Sequence, residues 1–304
     1  MDFLRPADLA EALAVKAERP DAVPIAGGTD VMVELNFDHR RPAALLDLTG
    51  VAELAEWSTS DGTLSDGTLE SSTLSGSTVR LGAAVSYSRV ITELGEPLPA
   101  LAMASRTVGS PQIRNRGTVG GNLGAASPAG DTHPVLLALG ARVEVASVRG
   151  TRVLPAEEFY LGVKRNALEP DELITAVHLP AHAGPQQFAK VGTRNAMVIA
   201  VCSFAVNLRP SQRQVGASVG SAAPTPRRAR AAEEFLAAEL PWDAPTALAD
   251  SLKRRFGELV AEAAAPIDDV RGSADYRRHA LAVLARRTLT WAWDEHRGSE
   301  RTCA

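Results

Sequence analysis

Apolar and polar positions switch between two spacings along the chain, and the switches outline its elements. Pro6 and Asp8 precede an alanine- and leucine-rich run, Leu9 to Ala17, of helical composition. Val23-Pro24-Ile25-Ala26 is a short apolar strand that Gly27-Gly28 breaks. Thr29 or Asp30 can then cap a helix by accepting an orphan N–H of its first turn. Leu45 to Leu48 is a second strand, and Val79 to Ala83 a third. Between them, residues 58–79 are rich in Ser, Thr and Gly, with Asp-Gly at 61–62 and 66–67, dipeptides that favour hairpin turns. Residues 88–107 have helical composition. Residues 108–133 form a long stretch punctuated by Gly, Ser and Pro, of the kind that carries function more often than mere connection.

Strands return at Val143 to Ala146 and Leu173 to Leu179, and the aperiodic Ala181 to Pro185 marks a domain boundary. Phe188 to Val191, Ala196 to Leu208 and Val215 to Ser221 read as a three-stranded meander. Helices follow: Leu248, Leu252, Phe256, Leu259 and Val260 share one face, and Tyr276, Ala280, Val283, Leu284 and Trp291 share another. Strands followed by a run of helices predict an α+β domain at the C-terminal end.

Composition narrows the functional classes. At 304 residues the chain has the length of two domains and needs no covalent staples to fold. The net charge of −4 excludes the basic surplus a nucleic-acid binder needs. Cys202 and Cys303, the two cysteines, are too far apart for an iron–sulfur or C-x-x-C metal motif. No leader pattern opens the sequence, and its longest apolar stretch, Ala196 to Val206, is shorter than the ~20 residues a bilayer requires. The expectation is a cytoplasmic protein with no transmembrane segment and no metal site of its own.

Two glycine loops carry the candidate chemistry. Ala26-Gly27-Gly28-Thr29-Asp30 lies between a strand and a helix; Thr118-Val119-Gly120-Gly121-Asn122 is followed by Ser127-Pro128 and Asp131. Paired glycines let the backbone approach a ligand and present successive N–H groups to an anion such as a pyrophosphate. Thr29 and Thr118 add hydroxyls, Asn122 an amide, and Asp131 an acceptor for a sugar hydroxyl. Either loop alone is compatible with a plain turn; together they indicate a phosphate-bearing ligand. G-x-G-x-x-G, the P-loop signature, H-E-x-x-H and G-x-S-x-G are all absent, which removes Rossmann, P-loop, zinc-protease and α/β-hydrolase readings. His178 and His182 are four apart, but Pro180 between them prevents a helical metal pair.

The sequence resembles the FAD-binding medium subunits of the molybdenum hydroxylases, the carbon monoxide and xanthine dehydrogenase family. Three regions carry the resemblance: PIAGGTDVMVEL at 24–35, IRNRGTVGGNLGAASPAGDTHPVLLAL at 113–139, and a C-terminal region. The last comprises FAKVGTRNAMVIAVCSFAVNL at 188–208, VGSAAPTPRRARAAEEFL at 219–236 and DDVRGSADYRRHALAVLARR at 268–287.

The resemblance implies an α+β fold. A two-subdomain FAD-binding domain of the vanillyl-alcohol-oxidase type would occupy residues 1–180, split near 55. A three-stranded sheet with helices would occupy 185–304. It implies that Pro24, Ile25, Ala26, Gly27, Gly28, Thr29, Asp30 and Val31 wrap the FAD pyrophosphate. Thr118, Gly120, Gly121 and Asn122 would form the second FAD loop, and Asp131 would contact the sugar-like chain. Val108, Ile174 and Lys190 fall near further FAD positions, as does Ala200, where some relatives carry a lysine.

No catalytic acid, base or metal ligand is implied on this chain. Molybdopterin and two [2Fe–2S] clusters are expected on a large and a small partner subunit, in a dimer of heterotrimers. The FAD subunit would pass electrons to NAD, a quinone or dioxygen. Two other readings stand beside it, a stand-alone flavin oxidase of the vanillyl-alcohol oxidase type and a scaffold without FAD.

Arg114 and Arg116, before the second loop, either offset pyrophosphate charge or serve the structure. Arg227, Arg228 and Arg230 form a basic cluster at a helix start. Trp291 and Trp293 point to two sides of the last helix, with burial in the core expected.

Overall fold

A computed structural model describes residues 1–61, 77–244 and 246–302. The chain begins with β1 (Asp2–Leu4), α1 (Leu9–Glu18), β2 (Val23–Ile25), α2 (Val31–Asn36) and β3 (Ala44–Asp47). These strands form a parallel sheet in the order β1-β3-β2. Asp8 caps α1 by accepting the Glu11 N–H at 2.8 Å, and Glu11 returns the favour by accepting the Ala7 N–H at 2.6 Å. Ala12 of α1 packs on Leu46 and Leu48, so one sheet face is buried while Phe3, on the sheet's first strand, stays exposed. Asp30, an expected cap, stands at the N-terminus of α2 but makes no capping bond, because its own backbone is already helical.

The middle of the chain runs β4 (Trp57–Asp61), β5 (Ser77–Gly82), α3 (Tyr87–Glu93), α4 (Pro99–Thr107), α5 (Pro111–Arg116), α6 (Val119–Ala125) and α7 (His133–Leu139). It continues through β6 (Arg142–Ser147), β7 (Gly150–Pro155), α8 (Ala156–Phe159), β8 (Tyr160–Gly162), β9 (Arg165–Asn166) and β10 (Leu173–Pro180). A five-stranded antiparallel sheet, β4-β5-β10-β6-β7, forms its floor. Every residue of the central β10 is buried, as a strand covered on both faces must be. The expected Asp-Gly hairpins at 61–62 and 66–67 fall at or within 62–76, outside the described residues; Asp61 and Ser77 pair on either side.

Two sequence expectations change here. The helix over 88–107 is two helices, divided at Gly95 to Leu98 because Pro97 and Pro99 interrupt it. The stretch 108–133 is not structureless: α5 and α6 are single short helices, each started by a cap, Ser110 on Ile113 and Thr118 on Gly121.

The C-terminal part comprises β11 (Gln186–Val191), β12 (Cys202–Arg209), β13 (Gln214–Gly220), β14 (Arg227–Arg228), α9 (Arg230–Glu239), α10 (Asp250–Ala263) and α11 (Ala274–Thr302). Its sheet has four strands, β11-β12-β13-β14, not three, because Arg227 and Arg228 add a short edge to β13. The second strand starts at Cys202 rather than at 196, since residues 196–201 are a loop. Phe204, Phe256, Leu281 and Trp293 centre the core under this sheet. Cys202 is a buried free thiol pushed up to about 12 by desolvation, which leaves it unreactive. Phe188 and Ala205 join the core of the middle part, so β11 and β12 are packed to both. Among the described residues no helix is long and apolar enough to cross a membrane.

Candidate functional site

The two glycine loops meet. A Cβ built on Gly27 would lie 1.9 Å from the Arg116 carbonyl oxygen, so the first loop lies directly against the chain entering the second. Gly28 adopts φ +73°, a left-handed turn that L side chains resist, and its carbonyl accepts the Met32 N–H at 3.0 Å to start α2. Among the described residues, the N–H groups of Gly27, Gly28, Thr29 and Asp30 have no protein acceptor. Four successive free amides in a half-buried turn form a cradle for an anion. Pro24 and Ile25 belong to the strand that feeds this turn, Ala26 ends it, and Val31 begins α2.

Beside the cradle is a cleft of about 310 Å3, lined in part by Gly27, Gly28, Asp47, Thr49 and Arg116. Arg116 makes no ion pair with a described residue and is one of the residues that line that cleft. Arg114 is otherwise employed: it donates to the carbonyls of Val108 at 3.0 Å and Gly109 at 3.2 Å, clamping α5 onto the end of α4. Of the two arginines, one is structural and one faces the cleft.

The second loop is arranged differently from the sequence expectation. Its amides are satisfied internally: Gly120 N–H donates to the Ala83 carbonyl at 3.2 Å, Gly121 N–H to Thr118 Oγ1 at 2.8 Å and Asn122 N–H to the Thr118 carbonyl at 3.0 Å. Thr118 is therefore a helix cap, and Asn122 Nδ2 donates to Thr132 Oγ1 at 2.8 Å. A Cβ on Gly120 would lie 2.5 Å from Ala83 Cβ, so packing against the end of β5 by itself requires a glycine there. Gly121 differs, since its Cβ would meet only Thr118 Oγ1, at 3.0 Å. Val108 ends α4 half-buried, and Ile174 of β10 is buried with its Cδ1 3.8 Å from a Cβ built on Gly124 of α6.

Asp131, in the segment between α6 and α7, and Lys190, on β11, come together. Lys190 Nζ donates to Asp131 Oδ2 at 2.6 Å, to the Thr107 carbonyl at 3.0 Å and to the Val198 carbonyl at 3.1 Å. All three ammonium donors are thereby used. Thr107 Oγ1 also donates to Oδ2, at 3.0 Å, whereas Asp131 Oδ1 is buried with no donor among the described residues. Burial raises the Asp131 carboxyl above its ordinary value, against the pull of Lys190. An unpaired buried acceptor is costly, and a ligand hydroxyl would satisfy it. Thr107 is a member of this cluster that the sequence reading missed; it carries no motif signal. Ala200 is fully buried.

Three further polar groups have structural partners. Glu144 accepts from Arg80 at 2.6 Å, Thr175 at 2.7 Å and His178 at 2.8 Å; burial opposes its ionisation, but these bonds hold it well below the usual range. Arg228 pairs with Glu233 and Arg230 with Glu157, both at 2.6 Å, which places two of the basic cluster's three arginines within the fold's own ion pairs. Among the described residues no group of His, Cys, Asp and Glu could hold a metal ion.

Fold and site together define a binder of a phosphate-bearing, hydroxyl-rich cofactor. Comparison with known proteins makes this specific. Residues 1–182 match the model of the FAD binding domain in molybdopterin dehydrogenase, and residues 187–292 that of the CO dehydrogenase flavoprotein C-terminal domain. A putative xanthine dehydrogenase FAD-binding subunit of Escherichia coli K12 is 31% identical over 300 residues, covering 95% of each chain. The carbon monoxide dehydrogenase medium chain of Afipia carboxidovorans is 29% identical over 299 residues, covering 95% of each. The solved carbon monoxide dehydrogenase of Hydrogenophaga pseudoflava superposes with a TM-score of 0.82 at 26% identity, covering 97% of this chain and 98% of that one. The chain belongs to the family of FAD-binding medium subunits of molybdenum hydroxylases, and the resemblance read from its motifs holds along its length.

Proposed function

We propose that this chain is the electron outlet of a molybdenum hydroxylase complex. It would take electrons from [2Fe–2S] clusters on a small partner subunit and hand them to NAD, a quinone or dioxygen. The observation that carries the reading is the run of four unpaired amides at Gly27 to Asp30, whose first two residues line the cleft that Arg116 also lines. These groups would hold the FAD pyrophosphate, with Pro24 to Val31 as the wrapping segment and Arg116 adding charge. Asp131 Oδ1 would accept from a hydroxyl of the cofactor's sugar-like chain. When bound, FAD supplies the redox chemistry, and the protein's part is to bind and orient it. Thr118, Gly120, Gly121 and Asn122 would shape the second loop, while Val108 and Ile174 supply apolar contact. Lys190 acts in this reading through Asp131.

The assignment of residues 1–180 to FAD binding and 185–304 to a separate C-terminal domain goes with this reading. So do cytoplasmic placement, a molybdopterin large subunit and a dimer of heterotrimers. Coverage of 95% of both chains in the comparison with the Escherichia coli subunit supports a medium subunit over a stand-alone oxidase carrying a substrate cap.

The test is to express the full chain with its iron–sulfur and molybdopterin partners, release the cofactor by heat and identify it. Chemically reduced iron–sulfur partner is then mixed anaerobically with the oxidised chain. Bound FAD and bleaching of the flavin absorbance are expected. A complex that binds FAD yet shows no bleaching would refute the electron-outlet role, and a chain that refuses FAD would refute the whole reading.

A further inference from the structure

A second cleft opens between α10 and α11. It measures about 390 Å3 and is lined by Lys253, Val283, Arg286, Arg287, Thr290 and Trp291. The helices cross tightly at Gly257, where a Cβ would lie 2.7 Å from the Ala282 carbonyl oxygen. Trp291, expected in the core, is instead 49% exposed, while Trp293 fills the core.

The fold balances the charge in this groove only in part. Lys253 Nζ is 2.7 Å from Asp250, whose carboxylate also interacts electrostatically with Arg286, but neither Arg286 nor Arg287 has a hydrogen-bond or ion-pair partner among the described residues. Neighbouring carboxylates are engaged elsewhere: Glu258 and Glu262 with Arg255, Asp294 with Arg297, and Glu295 with Gln187. A chain with a net charge of −4 thus concentrates unpaired guanidinium groups in one cavity.

Geometry adds a second requirement to the charge. Arg287 and Trp291 are four residues apart, as are Arg286 and Thr290, so each pair lies on one helix face about 6 Å apart along the axis. A ligand here meets Trp291, the two arginines and the apolar Val283 in one cleft. Planar guanidinium groups match phosphate oxygens in fork geometry, and an exposed indole offers a stacking face to any planar base. The geometry points to a binding site for a nucleoside phosphate, separate from the glycine-loop cleft. This does not depend on the FAD assignment, since no residue is shared with that site.

Adenosine diphosphate, adenosine and inorganic pyrophosphate are titrated separately into the full chain, loaded with FAD and desalted so that the first site is filled. Binding is followed by calorimetry and by indole fluorescence. One molecule of adenosine diphosphate per chain is expected, with a dissociation constant below about 1 mM. Trp291→Leu and Arg287→Gln, both at exposed positions, should each weaken it about tenfold while the flavin spectrum stays unchanged. Adenosine and pyrophosphate should each bind more weakly than the diphosphate. No binding, binding indifferent to both substitutions, or pyrophosphate binding as tightly as the nucleotide would each overturn the inference.

Discussion

Lys190 on β11 holds Asp131, in the segment before α7, at 2.6 Å in surroundings where both side chains are nine-tenths or more buried. The pair ties the C-terminal sheet to the second glycine loop, and Lys190's contact with the Val198 carbonyl extends the tie to the loop before β12. Removing one partner of a buried pair leaves the other desolvated and uncompensated, which costs about 3–5 kcal/mol. Lys190→Met should therefore lower the unfolding free energy by an amount of that order and weaken FAD binding at the same time, because Asp131 loses the group that orients it. Lys190→Arg should recover part of both. Urea denaturation and FAD titration of the two variants check this, and a Met variant as stable as the parent would show the pair to be energetically idle.

Gly27 and Gly124 make a matched pair for testing what the glycines are for. A Cβ at Gly27 runs into the Arg116 backbone, which cannot rotate away. Gly27→Ala should therefore destabilise the fold by about 1–3 kcal/mol, as overpacking does, and loosen the contact between the two loops. At Gly124 a Cβ would touch only Ile174 Cδ1, at 3.8 Å, inside a helix. Gly124→Ala should stabilise by about 0.5–1 kcal/mol through the restricted unfolded chain. Thermal unfolding of both variants decides, and the same sign for the two would contradict the packing argument.

The local parts of the site were legible in the sequence because turn chemistry is local. Ala26 to Asp30 reads as a strand–turn–helix from glycine and cap residues alone. Short helices were not legible: α5 and α6 have six and seven residues, too few for an apolar period, and exist because Ser110 and Thr118 satisfy their first turns. In the second loop the cap takes the Gly121 N–H, the Ala83 carbonyl the Gly120 N–H and a helix bond the Asn122 N–H, partners that spacing alone does not reveal.

Contacts between distant residues, such as Thr107 and Lys190 with Asp131, left no trace in spacing. They depend on how β11 docks beside α4. Trp291 was misplaced for a related reason. The stripe through Tyr276 and Trp291 lies at helical spacing, but the face that packs is the one holding Leu281, Leu289 and Trp293.

Thr118 Oγ1 accepts the Gly121 N–H at 2.8 Å, and loss of such a cap costs about 1 kcal/mol. Thr118→Ala should lower stability by that amount and weaken FAD binding through a frayed α6, whereas Thr118→Ser, which keeps the oxygen, should change neither. Chemical denaturation with FAD titration tests the pair. A Ser variant that behaves like the Ala variant would point to the methyl group instead of the cap.

His133, fully buried at the start of α7, couples this region to pH. Its Nε2 is 3.2 Å from the Asn122 carbonyl oxygen, which can only accept, so the neutral ring carries its proton there. Desolvation lowers its pKa from the ordinary 6.5 to about 4. Between those two values the unfolded chain binds a proton that the folded chain refuses, so stability rises with pH through the window and levels off above 6.5. Going from pH 7 to pH 5 should cost the parent about 2 kcal/mol from this group alone. His133→Phe, whatever its own stability, should lose about that much less over the same interval. Urea denaturation of parent and variant at the two pH values gives the difference directly. Equal pH dependence in both proteins would mean that His133 does not stay neutral in the fold.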